Sequence, residues 1–370
     1  MNGGDNSKRW LLVASAALFS SGCFTAGYLA QAAAGEYQIL RAARPLSSVV
    51  GDPQTPQRLK VLLAKVPDIK AFGQARGLKP TRNYDRYAEL HRAAAVWVVQ
   101  ACAPLSFDVR RWEFLLVGSV PYLGFFDEAA ALRYADELSK KEPLDLEVRT
   151  ASAFSTLGWF RDPVLSTMIP RGDDAAGELA NVVLHESVHA TVYVPDQSAF
   201  DESFASFVAD HLTLEWLARR GGADGPAAQA WLAKQARAEA RSARLHRAYQ
   251  DLDALYRSPV SDDDKRAGKA RLFAAVAEEL KLARPINNAT LAGMRTYASG
   301  SAAFERLLGT CGGNWPRVLF AVGAVTAADF ERPQQEELDP VIDRLARKGC
   351  GQATPTQPSN SAPGPDAGGP

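Results

Sequence analysis

His185, Glu186 and His189 stand as HExxH within the run Val183-Leu184-His185-Glu186-Ser187-Val188-His189-Ala190. No Gly, Pro or further charge interrupts the motif, and its pattern is helical. On a helix, residues four apart share one face with Cβ atoms about 5 to 6 Å apart, so two imidazoles can converge on one metal ion. Glu186 lies about 100° further round the helical wheel, beside the metal rather than on it. Zinc-assisted hydrolysis needs that division of roles. Neutral imidazoles ligate zinc, while an unligated carboxylate takes a proton from the attacking water and passes it to the leaving group. His185 and His189 are therefore read as zinc ligands and Glu186 as the acid/base. Coincidence on a buried helix is the competing explanation. With five histidines in the chain, an HExxH arises by chance in about one such sequence in 200.

A catalytic zinc site takes a third protein ligand. The run Asp201-Glu202-Ser203-Phe204 opens a second helical pattern 13 positions after His189. Packed helices lie with axes about 8 to 10 Å apart, so the intervening turn, which contains Pro195, can bring Glu202 back to the metal. Asp201, Asp196, His211 and Glu215 are rival ligands, and Glu202 could instead be an acid that merely favours the helix dipole. A metzincin would carry Gly at position 192 and His or Asp at 195, where this chain has Val192 and Pro195. The two-His, one-Glu gluzincin arrangement remains. Ligating histidines usually donate to an outer acceptor. The Asp that thermolysin-like proteins place four residues after the ligand Glu is Ser206 here, with Asp210 one turn further as a substitute.

Three further features are weaker. Gly158-Trp159-Phe160 with Pro163 could line a substrate rim, or pack a turn. Tyr297 could donate to the oxyanion of a tetrahedral intermediate, although most tyrosines are packing residues. Recognition of a free α-ammonium requires an acid near the metal, for which Asp201, Asp162 and Glu113 are candidates. Nothing in their spacing selects one.

The elements that must position these groups are mostly helical. Helical patterns cover Thr25 to Ala43, Gln57 to Arg76, Asp127 to Lys141, Ala175 to Tyr193, Phe200 to Arg220, Pro226 to Tyr256 and Asp262 to Leu282. Val96 to Val99, Phe114 to Val117 and Leu144 to Phe154 are β-prone, with Gly118, Pro121 and Gly124 as turn signals. The expected fold is α+β, mainly helical and zincin-like, with a small sheet packed on the HExxH helix and the Glu202 helix covering the other side.

Composition sets the outer limits. The chain is 46% hydrophobic and 23% charged, enough for a large core. Basic and acidic residues number 42 each, so no cationic excess supports nucleic-acid binding. Lys8 and Arg9 precede the apolar run Trp10 to Phe19, which is too short to span a bilayer and has signal-peptide proportions. Ser20-Ser21-Gly22-Cys23 then resembles a bacterial lipobox, although Ser20 replaces the usual aliphatic residue. Residues 1–22 are therefore read as a lipoprotein signal, Cys23 as the lipidated first mature residue, 23–350 as the zinc metallopeptidase domain and 351–370 as a disordered tail rich in Pro, Gly and Ser. Phe24, where an Asp would favour retention, points to the outer membrane facing the periplasm. Cys102, Cys311 and Cys350 allow one disulfide in that oxidising compartment; the sequence leaves its pairing open.

The segments Trp112 to Phe126, Ser155 to Met168, the HESVH helix and Phe200 to Asp210 together resemble a family of bacterial lipoproteins catalogued as predicted aminopeptidases. The likeness extends from about Gly27 through Asn287-Asn288 and Cys311-Gly312-Gly313. It implies His185, His189 and Glu202 as zinc ligands, Glu186 as acid/base, a peptide substrate and removal of N-terminal residues. The family often has cysteines where this chain has Glu113 and Ser119, so a disulfide there is missing. Two other functions fit the residues: a zinc endopeptidase, and a non-catalytic envelope lipoprotein with a structural metal and a partner-binding helical surface at Ala227 to Leu282.

Overall fold

A computed structural model describes residues 6–114, 118–153, 161–172, 174–295 and 300–351, with residues 6–23, 118, 294 and 295 as backbone alone. The chain is mainly helical, about 60%, with small sheets, which agrees with an α+β reading. The elements run α1 (Asn6–Ala42), β1 (Arg44–Pro45), α2 (Leu46–Gly51), α3 (Gln57–Leu63), α4 (Val66–Ala75), β2 (Arg86–Ala88) and β3 (Val96–Cys102). Next come β4 (Trp112–Phe114), β5 (Gly118–Val120), β6 (Leu123–Phe125), α5 (Glu128–Lys141), β7 (Asp145–Ala151), β8 (Val164–Leu165), α6 (Ala175–His189) and α7 (Ser198–Gly221). The remainder is helical: α8 (Pro226–Arg257), α9 (Asp262–Glu279), α10 (Asn288–Arg295), α11 (Ser301–Thr310), α12 (Trp315–Val322) and α13 (Asp339–Lys348).

β3 is the centre of a three-stranded antiparallel sheet ordered β6-β3-β7. Its run VWVVQAC is buried along its whole length because both faces are covered. Side chains alternate across a strand, so Val96 and Val98 join the core beneath α6 and α7. Trp97, Val99 and Ala101 face the opposite way, into a second cluster with Ala131, Ala135 and Leu138 of α5. Asp127 starts α5 by accepting a hydrogen bond from the Ala130 amide at 2.7 Å, supplying one of the partners a helix N-terminus lacks.

The free edge of β6 is covered by α1. The Gln31 amide donates to the Gly124 carbonyl at 3.0 Å and accepts from the Phe126 amide at 3.3 Å, which replaces a missing strand. Gly35 lies against the Phe126 ring so closely that any Cβ would overlap it.

α6 packs most extensively on α7 and next on α4, and Val96 and Val98 of the sheet belong to the same core cluster as its buried face. The expected helix from Gln57 to Arg76 is two helices, because Pro67 in the first turn of α4 marks a new start. The helix expected from Thr25 continues back to Asn6 as a single backbone helix. No described helix is long and apolar enough to cross a membrane. The tail beyond Gly351 lies outside the described residues.

Cys311 and Cys350 form a disulfide with Cα atoms 5.3 Å apart. Cys102 is free and buried, and burial pushes its thiol up to about 12, so it is an inert core group. Glu113 and Ser119 are direct cross-strand partners in the β4–β5 hairpin, the pair of positions the family resemblance singled out.

Candidate active site

α6 ends at His189 and α7 begins at Ser198, so the turn between them decides what the two helices bring together. The Val194 amide donates to Asp201 Oδ1 at 2.9 Å, which folds the turn onto the start of α7. The distal segment pins it from outside. Gln197 donates to the Arg332 carbonyl at 2.9 Å and accepts from the Gln335 amide at 3.1 Å, and the Gln334 amide donates to the Asp196 carbonyl at 2.7 Å.

With the turn held this way, Glu202 faces both histidines. His185 Nε2 is 3.3 Å from Glu202 Oε2, His189 Nε2 is 3.7 Å from Oε1, and the two Nε2 atoms are 3.1 Å apart. These three side chains form the group among the described His, Cys, Asp and Glu residues that could hold a metal ion. Burial disfavours charge on His185, but its hydrogen bond with Glu202 and the charges of Glu186, Glu202 and Asp210 outweigh that and raise its pKa. His189 is pushed down to about 4 by burial and by His185, so it stays a neutral lone-pair donor at ordinary pH. Burial also acts on Glu202, yet its imidazole partners and Arg149 hold it below its usual range. Two imidazoles and a carboxylate aimed at one point suit zinc.

The rival ligands are engaged elsewhere or point to solvent. Glu215 accepts from Arg76 Nε and Trp315 Nε1. His211 is 3.0 Å from Glu305 through Nε2 and contacts the Phe207 carbonyl through Nδ1. Asp196 is exposed, with φ +60°. Asp201 holds the turn and is raised to about 7, mainly by burial.

The outer shell differs from the expectation. Asp210 accepts from Asn181 Nδ2 at 2.8 Å, and its influence on His185 is through charge. Nδ1 of His189 is buried with no hydrogen-bond partner among the described residues. Tyr297 and the Gly158-Trp159-Phe160 segment lie outside the described residues, and Cys23 is described as backbone only.

A cavity of about 230 Å³ opens beside His189 and Glu202. Of the three acids weighed for amine binding, Asp201 is in its wall. Glu113 is exposed on β4. Asp162 is buried against the Asn83-Tyr84 segment, its carbonyl accepting from the Tyr84 amide at 2.7 Å. The cavity also exposes Gln100, Arg111 and Arg149, which sequence reasoning did not single out. A signal existed for Gln100 alone: it is the one amide in an otherwise apolar strand, VWVVQAC.

No curated protein and no solved structure gives a significant match. A family model described as "Putative aminopeptidase" matches residues 27–337. On that match, covering most of its length, the chain belongs to this aminopeptidase family.

Proposed function

We propose that this protein is a zinc-dependent aminopeptidase, anchored in the bacterial cell envelope through a lipid on Cys23. The observation that carries the reading is the convergence of His185, His189 and Glu202 on one point, with Glu186 next in sequence to a ligand and turned away from it by the helix. Zinc held there would polarise the scissile carbonyl and acidify water. Glu186 is assigned the proton, taking it from the attacking water and delivering it to the leaving amine. Among the described residues three side chains could serve as ligands, which would leave a coordination position for substrate, as a catalytic rather than a structural zinc site requires.

Two observations favour trimming of chain ends over internal cleavage. At about 230 Å³ the cavity is below the usual range of roughly 300 to 1,000 Å³ for ligand pockets, so it suits one or two residues. Asp201, in its wall, is assigned the substrate's α-ammonium, whose burial requires an opposite charge. The test compares one peptide with a free and with an acetylated N-terminus. The free form should lose its first residue and the acetylated form should be inert; equal internal cleavage of both would overturn the aminopeptidase assignment while keeping the peptidase.

A further inference from the structure

On the central sheet, the register sets Gln100 opposite Glu147 and Val98 opposite Arg149. Cross-strand partners point to the same face, so Gln100 and Arg149 are diagonal neighbours on the Val96–Val98 face, the one turned toward the core of α6 and α7. Both line the cavity that holds His189 and Glu202. Gln100 is only 5% exposed, and its amide has no hydrogen-bond partner among the described residues. A buried amide is ordinarily paired. Its position is also one the fold makes room for, because a Cβ at Gly293 of α10 would stand 2.7 Å from Gln100 Oε1. The Arg149 guanidinium likewise makes no hydrogen bond or ion pair with a described residue. Arg111, on the same cavity, is held by the β4–β5 hairpin, donating to Ser119 Oγ at 2.7 Å and to the Ser119 carbonyl at 2.9 Å, so the wall is cationic on this side and acidic at Asp201, Glu202 and Glu336.

We infer that Gln100 and Arg149 form a carboxylate-binding subsite of the metal cavity, making the preferred substrate a short peptide with a carboxylate next to the scissile bond. The inference rests on the aminopeptidase reading for its substrate. A planar guanidinium matches a carboxylate with two parallel donors, and the neighbouring amide supplies a third. The small cavity keeps the carboxylate close to the metal, so either the C-terminus of a dipeptide or an acidic side chain after the cleaved bond would reach the pair.

The test is calorimetric binding of four probes, Ala-Ala, Ala-Ala-NH2, Ala-Glu-NH2 and Ala-Gln-NH2, to full-length Glu186→Gln protein, in which the peptides survive. Ala-Ala should bind about tenfold or more tightly than its amide if the C-terminus is read, and Ala-Glu-NH2 should outbind Ala-Gln-NH2 if a side chain is read. Adding Arg149→Gln should erase the preference, and Arg149→Lys should keep part of it. Gln100→Leu, which preserves bulk, should weaken it, with melting temperatures confirming that each variant is folded. Equal binding within both pairs, or a preference that survives Arg149→Gln, would overturn the subsite. Wild-type protein incubated with the same probes separates the two readings. Hydrolysis without a carboxylate preference removes the subsite and keeps the peptidase; a preference without hydrolysis of any probe supports the subsite and counts against the peptidase.

Discussion

Two imidazole nitrogens 3.1 Å apart and facing a carboxylate concentrate lone pairs at one point, and some positive charge must sit among them. In the bare protein the Glu202 hydrogen bond and the surrounding carboxylates favour a proton on His185, while burial and His185 disfavour one on His189. A divalent cation would serve all three donors at once and displace that proton. A second strained charge lies away from the site. Glu36 of α1 has a buried Oε1 with no hydrogen-bond partner among the described residues and is raised to about 6, first by burial and then by the charge of Asp162. The sign follows from linkage. Between about 4.5 and 6 the folded state holds more protons than the unfolded one, so stability falls as pH rises through that window and then levels. Glu36→Gln should therefore stabilise the protein above pH 6 by about 1 kcal/mol, after discounting for partial exposure, with little effect below pH 4.5. Denaturant midpoints at the two pH values measure this; a uniform effect at both would assign it to packing instead.

Elements, rather than single residues, set the geometry of the site, and the turn from α6 to α7 is held by a segment more than 130 positions away, through Gln197, Gln334 and Gln335. That segment leads into α13, which packs on α11, and the two helices are joined by Cys311–Cys350 across 39 residues. Loss of the bridge in Cys311→Ser/Cys350→Ser should cost about 3 kcal/mol, seen as a lower urea midpoint that reductant does not lower further. An unchanged midpoint would show that the bridge is dispensable. Local patterns made the helices legible: the expected spans of α5 to α9 agree with the structure to within a few residues, because each has caps, Pro breaks or an apolar stripe of its own. What positions the cavity was not legible. Arg149 and Gln100 meet only through the β3–β7 register, and the Gln334 contact to the turn depends on packing at long range, for which the sequence carries no local signal. Asp210 shows the limit from the other side: helical spacing placed it near the histidines, but spacing could not foresee that Asn181 would take its carboxylate.

At the scale of the whole molecule, the covering of the sheet edge by α1 bears on how the protein would sit on a membrane. Phe24 stacks on Tyr134 with centroids 5.2 Å apart, and Tyr28 contacts Phe114 and Phe125, so the residue directly after Cys23 already packs on the body of the protein. A lipid there would hold the body of the protein against the bilayer without a spacer. Fractionation should find the wild type with membranes and Cys23→Ala either soluble or retained as the unprocessed precursor; a wholly soluble wild type would remove the anchor. The balanced charge, 42 basic against 42 acidic residues, gives the surface no strong attraction to anionic lipid of its own, so the acyl chains would have to supply the binding. The central claim, a zinc centre on His185, His189 and Glu202 with Glu186 outside it, is tested most directly by the metal content of purified protein and its variants. The account predicts one zinc per chain in the wild type and in Glu186→Gln, and loss of tight binding in His185→Ala, His189→Ala and Glu202→Ala. Full zinc occupancy in both histidine variants, or none in the wild type after purification without chelators and with zinc supplied, would contradict it.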